Sequence, residues 1–154
     1  NFSTPRQNEN QRQCMTAMLA HDVMPVVNEN DTVCVTELMF TDNDELSGLI
    51  ARLMQCQALI ILSNIDGLYD GNPSDPSSQV IREIPFGEDI SHYIRTERSS
   101  AGRGGMQSKC STASEVSAAG IHVYIANGKR DSILTDILFS PDSVSFTHFI
   151  PNDK

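Results

Sequence analysis

The densest set of residues suited to chemistry is Gly102-Arg103-Gly104-Gly105-Met106-Gln107-Ser108-Lys109. Glycines let backbone N–H groups approach a phosphate closely, and a helix that follows turns its positive end toward the anion. Lys109 falls one turn into that helix and reaches toward the same phosphates. The pattern differs from the P-loop, in which a lysine follows the last glycine directly. A flexible loop, a helix start and a solvated lysine would give the same letters.

Three polar clusters accompany this loop. Asn28-Glu29-Asn30-Asp31 follows the apolar run Val23-Met24-Pro25-Val26-Val27, where four polar side chains serve either a ligand or an Asx-type turn. Thr41-Asp42-Asn43-Asp44 opens a helix. One cap accounts for one of these residues; the others are free to hold an amine or orient a lysine, and Asn43 to hold a carboxylate or amide. Ser63-Asn64-Ile65-Asp66-Gly67-Leu68-Tyr69 sets a hydroxyl and an acid at a strand end. That suits a nucleotide or a magnesium ion, or else an ordinary turn with Gly67 at positive φ.

The elements that must position these clusters follow from periodicity. Residues 1–12 are polar and read as a loop entering a helix continued by residues 15–20. Residues 23–27 read as a short buried strand, and residues 32–40 as a small hairpin or arm. Leu46, Leu49, Ile50, Leu53 and Met54 recur at helical spacing and predict a helix over 42–57. The unbroken apolar run over 58–62 predicts a strand covered on both faces. Residues 70–78 are a surface loop, and residues 80–84 a short edge strand. A helix over 106–119 should stop at Gly120, a suitable residue beyond a helix end. A strand over 121–125, a helix over 132–139 and a last strand over 144–150 complete the chain. This alternation predicts an α/β protein with a mainly parallel open sheet and helices on both faces. In such sheets ligands bind beyond the carboxyl ends of the strands, where 28–31, 63–66 and 126–128 fall.

Composition narrows the partners. A net charge of −9 in 154 residues repels nucleic-acid phosphate, which selects for a basic patch; nucleic acid is not an expected partner. Nor is a membrane, since no apolar run is long enough to cross one. Cys14, Cys34, Cys56 and Cys110 lack metal-ligand spacing and read as free thiols of a reducing cytoplasm. His21, His92, His122 and His148 stand apart in sequence and assemble no hydrolytic triad.

In order, Pro25-Val26-Val27-Asn28-Glu29-Asn30-Asp31-Thr32-Val33, Asp42-Asn43-Asp44-Glu45-Leu46-Ser47, Ile65-Asp66-Gly67-Leu68-Tyr69, Gly104-Gly105-Met106-Gln107-Ser108-Lys109 and Ile125-Ala126-Asn127-Gly128 resemble the amino-acid kinase family, its glutamate 5-kinase branch in particular. The resemblance spans residues 24–151. It implies transfer of the γ-phosphoryl of ATP to the γ-carboxylate of L-glutamate, with Mg2+, as the first step of proline synthesis. It implies that Asp31, Asn43 and Asn28 lie at the glutamate, and Ser63 and Asn64 at the nucleotide. Arg103, Gly104, Gly105, Met106, Gln107, Ser108 and Lys109 match the loop over the phosphates. Lys109 matches the phosphate-stabilising lysine, and Asp44 the acid that organises the lysines. Thr41 stands where the family has Gly, Asn64 where it has Asp, and Arg103 where it has Thr.

On this reading, residues 1–151 are part of a kinase domain, with a substrate-binding edge over 24–57 and a nucleotide-binding part over 58–151. The family's lysine- and glycine-rich first turn is expected upstream of Asn1, so this stretch alone is expected to be inactive. No RNA-binding-like domain is expected within it. A homo-oligomer and functional coupling to a glutamyl phosphate reductase are implied. The alternatives are a kinase for acetylglutamate or aspartate, or a regulatory module that binds nucleotide without transferring phosphate.

Overall fold

The computed structural model describes residues 5–28, 43–97 and 105–152. Helix α1 (Pro5–Ala20) comes first, followed after residue 42 by α2 (Asn43–Leu53) and strand β1 (Ala58–Ser63). Then come β2 (Glu83–Ile84), α3 (Ser91–Glu97), α4 (Gly105–Ala118) and β3 (His122–Asn127). Helix α5 (Ile133–Phe139), a 3-10 turn (Pro141–Ser143) and β4 (Phe146–Phe149) end the fold.

Among the described residues four strands form one sheet in the order β1-β3-β4-β2. β1 and β3 run parallel, with Ala58 opposite His122 and Ser63 opposite Asn127. Each is fed by a preceding helix, α2 or α4, and a crossover through a helix returns the chain in the same direction. β2 and β4 are also parallel, whereas β3 and β4 are antiparallel. The sheet is therefore mixed, with two parallel pairings and one antiparallel. The two-residue β2 lies at its edge, where an edge strand was expected.

Alternation along the strands builds two layers. Leu59, Ile61, Val123, Ile125 and Phe149 point to one face, where they form a core with Ala51 of α2 and Cys110, Ala113 and Val116 of α4. Ile60, Tyr124, Ala126 and Phe146 point to the other, against Ile133 and Ile137 of α5. Helices thus cover both faces. Among the described residues no helix is long and apolar enough to cross a membrane. Cys14, Cys56 and Cys110 are free thiols.

Helix ends obey local chemistry. Gln55 sits at φ 51°, Cys56 N–H donates to Ala51 O, and Gln55 N–H to Arg52 O. This paired closure around a left-handed residue stops α2 short of the predicted residue 57. Gly120, at φ 86°, follows α4 as expected.

Two expectations are corrected. Residues 5–12 belong to α1 rather than to a loop. Proline suits a first helical position, and Glu9 accepts from both Arg12 (2.8 and 2.9 Å) and Gln13 (2.7 Å) one turn on, so polar neighbours sustain the helix. Residues 23–28 form no strand, and Met24 and Val26 are 79% and 90% exposed. A strand exists through ladder bonds to a neighbour, and none of the described strands pairs with this run.

Candidate active site

α2 and α4 lie side by side on one face of the sheet. Gly48 permits their close approach: a Cβ there would lie 2.7 Å from Thr112 Cγ2 and 3.1 Å from Val116 Cγ2. Each helix ends by feeding a parallel strand, so both begin near the carboxyl ends of β1 and β3. Asp44 occupies the first turn of α2, and Lys109 stands one turn into α4. Lys109 Nζ donates to both carboxylate oxygens of Asp44, at 2.8 and 3.0 Å. The two side chains are 19% and 17% exposed, so the pair is largely screened from bulk water. The first turn of α4 carries no acid, and its N–H groups keep their favourable field for an anion.

The turn after β1 is tied down on several sides. Gly128 N–H donates to Ser63 O at 2.8 Å. Asn127 Nδ2 donates to Asp66 Oδ1 at 2.9 Å, while its own Oδ1 accepts from Lys129 N–H at 3.0 Å. The fully buried Thr147 of β4 accepts from Leu68 N–H at 2.8 Å. Gly67 does not adopt positive φ. It is glycine for space, since a Cβ there would meet Thr147 Oγ1 at 2.5 Å. Ser63 Oγ points to Asn64 Oδ1 at 3.4 Å, which leaves both groups at the strand end weakly engaged with each other.

Of the residues singled out in sequence, Asp44 and Lys109 are brought together. Gly105, Met106, Gln107 and Ser108 form the first turn of α4, and among the described residues a Cβ at Gly105 would meet nothing within 4 Å. Ser63 and Asn64 end β1, and Asn43 starts α2. Asn28 stands exposed outside any element. Asp31, Arg103, Gly104, Thr41 and the 32–40 arm lie outside the described residues. Asp66 was read as the acid of the 63–69 turn, and Asn127 only as part of the 126–128 turn after a strand; neither was given the other as partner. The signal for Asn127 was a polar residue closing a buried strand immediately before glycine.

The model of the "Amino acid kinase family" matches residues 1–127. The chain belongs to the amino acid kinase family. Within that family it is 62% identical to the glutamate 5-kinase of Bacteroides thetaiotaomicron over 154 residues, all of this chain and 43% of that protein. It is 53% identical to the glutamate 5-kinase of Chlorobaculum tepidum over 133 residues, 83% of this chain and 35% of that protein. The chain thus spans less than half the length of these relatives.

Solved structures of similar fold include an isopentenyl phosphate kinase in a substrate complex, with TM-score 0.64 at 16% identity over 89% of this chain and 52% of that one. The UMP kinase of Ureaplasma parvum gives 0.62 at 14% identity over 90% and 52%. The carbamate kinase of Giardia lamblia bound to AMP-PNP gives 0.59 at 18% identity over 92% and 50%. At these identities the likeness establishes the amino acid kinase fold alone.

Proposed function

We propose that this amino acid kinase chain is the nucleotide-binding part of an enzyme that phosphorylates the γ-carboxylate of L-glutamate with ATP. The product is glutamyl 5-phosphate, the first intermediate of proline synthesis. The observation that carries the reading is the bidentate pair of Lys109 and Asp44, held beside the N-terminal turn of α4. The identity to glutamate 5-kinases supports the choice of acceptor.

Phosphoryl transfer asks for positioning and charge neutralisation more than for covalent help. A carboxylate acceptor is ionised at neutral pH, so no general base is needed. Lys109 supplies positive charge to the transferring group, and Asp44 fixes where its ammonium points. Arg103, Gly104, Gly105, Met106, Gln107 and Ser108 form the cradle for the phosphates. Ser63 and Asn64 meet the nucleotide at the end of β1. Asp31, Asn43 and Asn28 hold glutamate, along a substrate edge over 24–57 beside a nucleotide part over 58–151.

Mg2+ fits this donor set as an ion carried in by the nucleotide. Among the described residues no three His, Cys, Asp or Glu side chains gather into a metal cage, and Mg2+ commonly binds through substrate phosphates with few protein carboxylates. When bound, it neutralises phosphate charge. The enzyme acts in the cytoplasm as a homo-oligomer, and its labile acyl phosphate passes to a glutamyl phosphate reductase. Turnover needs more than this stretch alone.

Trapping acyl phosphate with hydroxylamine tests the reading. The intact protein should give hydroxamate from glutamate and not from acetylglutamate or aspartate. Nucleotide binding with no hydroxamate from any acid would reject the reading in favour of a regulatory nucleotide binder.

A further inference from the structure

Asn127 closes β3 and reaches across to the turn that leaves β1. Its amide is used at both ends. The nitrogen donates to Asp66 Oδ1 at 2.9 Å, and the oxygen accepts from Lys129 N–H at 3.0 Å. The neighbouring Gly128 N–H holds Ser63 O at 2.8 Å, and a Cβ at Gly128 would press on Leu62 Cβ at 3.1 Å. The turn over 63–66 is therefore pinned to the end of β3 at its start and at its acid. Its far side is pinned by Thr147. A turn fixed this fully at the carboxyl edge of parallel strands lies where such sheets take their ligands.

We propose that Asn127 is a positioning residue for the nucleotide: through Asp66 it sets the turn that presents Ser63 and Asn64, and it thereby governs ATP affinity and not acceptor affinity. The inference rests on the kinase reading above. The chemistry favours Asn over Asp at this position. A carboxylate at position 127 would still accept from Lys129 N–H, but it would face Asp66 with like charge and no proton to share. An amide has one donor for the acid and one acceptor for the backbone, and both are used. Conversely, an amide at position 66 supplies the donor that a carboxylate at position 127 would need.

These properties define a charge-swap test in the intact protein. KM for ATP and for glutamate would be measured by hydroxamate formation, and AMP-PNP binding with Mg2+ by calorimetry. Asn127→Asp should raise KM for ATP and the AMP-PNP Kd about tenfold, as expected for a lost hydrogen bond to a charged group. KM for glutamate should stay within about twofold, a change worth well under 1 kcal/mol. Adding Asp66→Asn to Asn127→Asp should restore nucleotide affinity, because the amide and the acid have exchanged places.

A purely architectural tie would move both KM values or lower kcat without splitting them, and that result would overturn the proposal. So would an unchanged AMP-PNP Kd. Should Asn127→Asp fail to fold, Asn127→Ala removes both bonds without adding charge, and the same split in KM is expected. A wild type that binds AMP-PNP but makes no hydroxamate would reject the kinase reading while the binding arm still decides the role of Asn127. A wild type that binds no nucleotide would sink both.

Discussion

Gly48→Ala is the sharpest probe of how α2 and α4 are held together. The added methyl would stand 2.7 Å from Thr112 Cγ2 and 3.1 Å from Val116 Cγ2, against a comfortable carbon–carbon distance of about 3.5–4.0 Å. Thr112 is 5% exposed and Val116 not at all, so neither has room to withdraw. Overpacking of this kind costs about 1–3 kcal/mol. Alanine returns about 1 kcal/mol through its better helix propensity, which leaves a net loss of about 1 kcal/mol. Urea denaturation of the intact protein would read this as a lower midpoint at unchanged slope. Thr112→Ser removes the offending methyl, so the double variant should recover part of the loss and reveal a coupling of about 0.5–3 kcal/mol. A Gly48→Ala protein that is more stable than wild type, with no coupling to Thr112→Ser, would refute the close-packed interface.

Three further outcomes follow. Lys109→Met should lower kcat about 100-fold or more, the scale of losing one preorganised electrostatic contact, while costing about 1–3 kcal/mol of stability because the Asp44 carboxylate loses its lysine. Steady-state kinetics beside denaturation would separate the two effects, and unchanged kcat would remove Lys109 from the site. Burial, then the neighbouring His122 at 2.9 Å, pushes His148 below its ordinary pKa, with Glu83 opposing and Arg82 assisting. The folded state therefore favours the neutral ring. The associated stability is complete above about pH 6.5 and is lost as pH falls through the lower folded value. His148→Phe should flatten that acid limb in urea midpoints taken at descending pH, and an unflattened limb would discharge His148 from the role. Gly120→Ala should cost about 1–2 kcal/mol in the same denaturation assay, because φ 86° is strained for any residue bearing a Cβ.

The elements that carry their own local signal were legible in the sequence. The apolar run of β1, the amphipathic start of α2 and the glycine stop after α4 each depend on neighbouring residues and stand where their patterns put them, while α2 ends at Leu53 rather than residue 57. Direction and partnership were harder. The period of β4 is the same whether it runs with β3 or against it, and here it runs antiparallel after a connection through α5 and Pro141–Ser143. Residues 23–27 have strand-like composition, but a ladder needs a partner that composition cannot supply. The polar first part of α1 read as a loop because its support comes from Glu9, Arg12 and Gln13 side chains rather than an apolar stripe.

At the site, sequence gave the residue types. The carboxylates at 42 and 44 were read as able to orient a lysine, the resemblance assigned that role to Asp44, and the fold supplies Lys109 from 65 residues away. Asn127 and Asp66, 61 residues apart, meet only because β1 and β3 end side by side. No local pattern encodes that meeting.

The most direct measurement is hydroxamate formation by the intact protein, supplied with ATP, Mg2+ and each of glutamate, acetylglutamate and aspartate in turn. An ATP-dependent signal from glutamate alone, abolished by Lys109→Met, is the predicted result. A signal from another acid in preference to glutamate, or none from any acid in a folded protein that binds AMP-PNP, would contradict a glutamate kinase built on the Lys109–Asp44 pair.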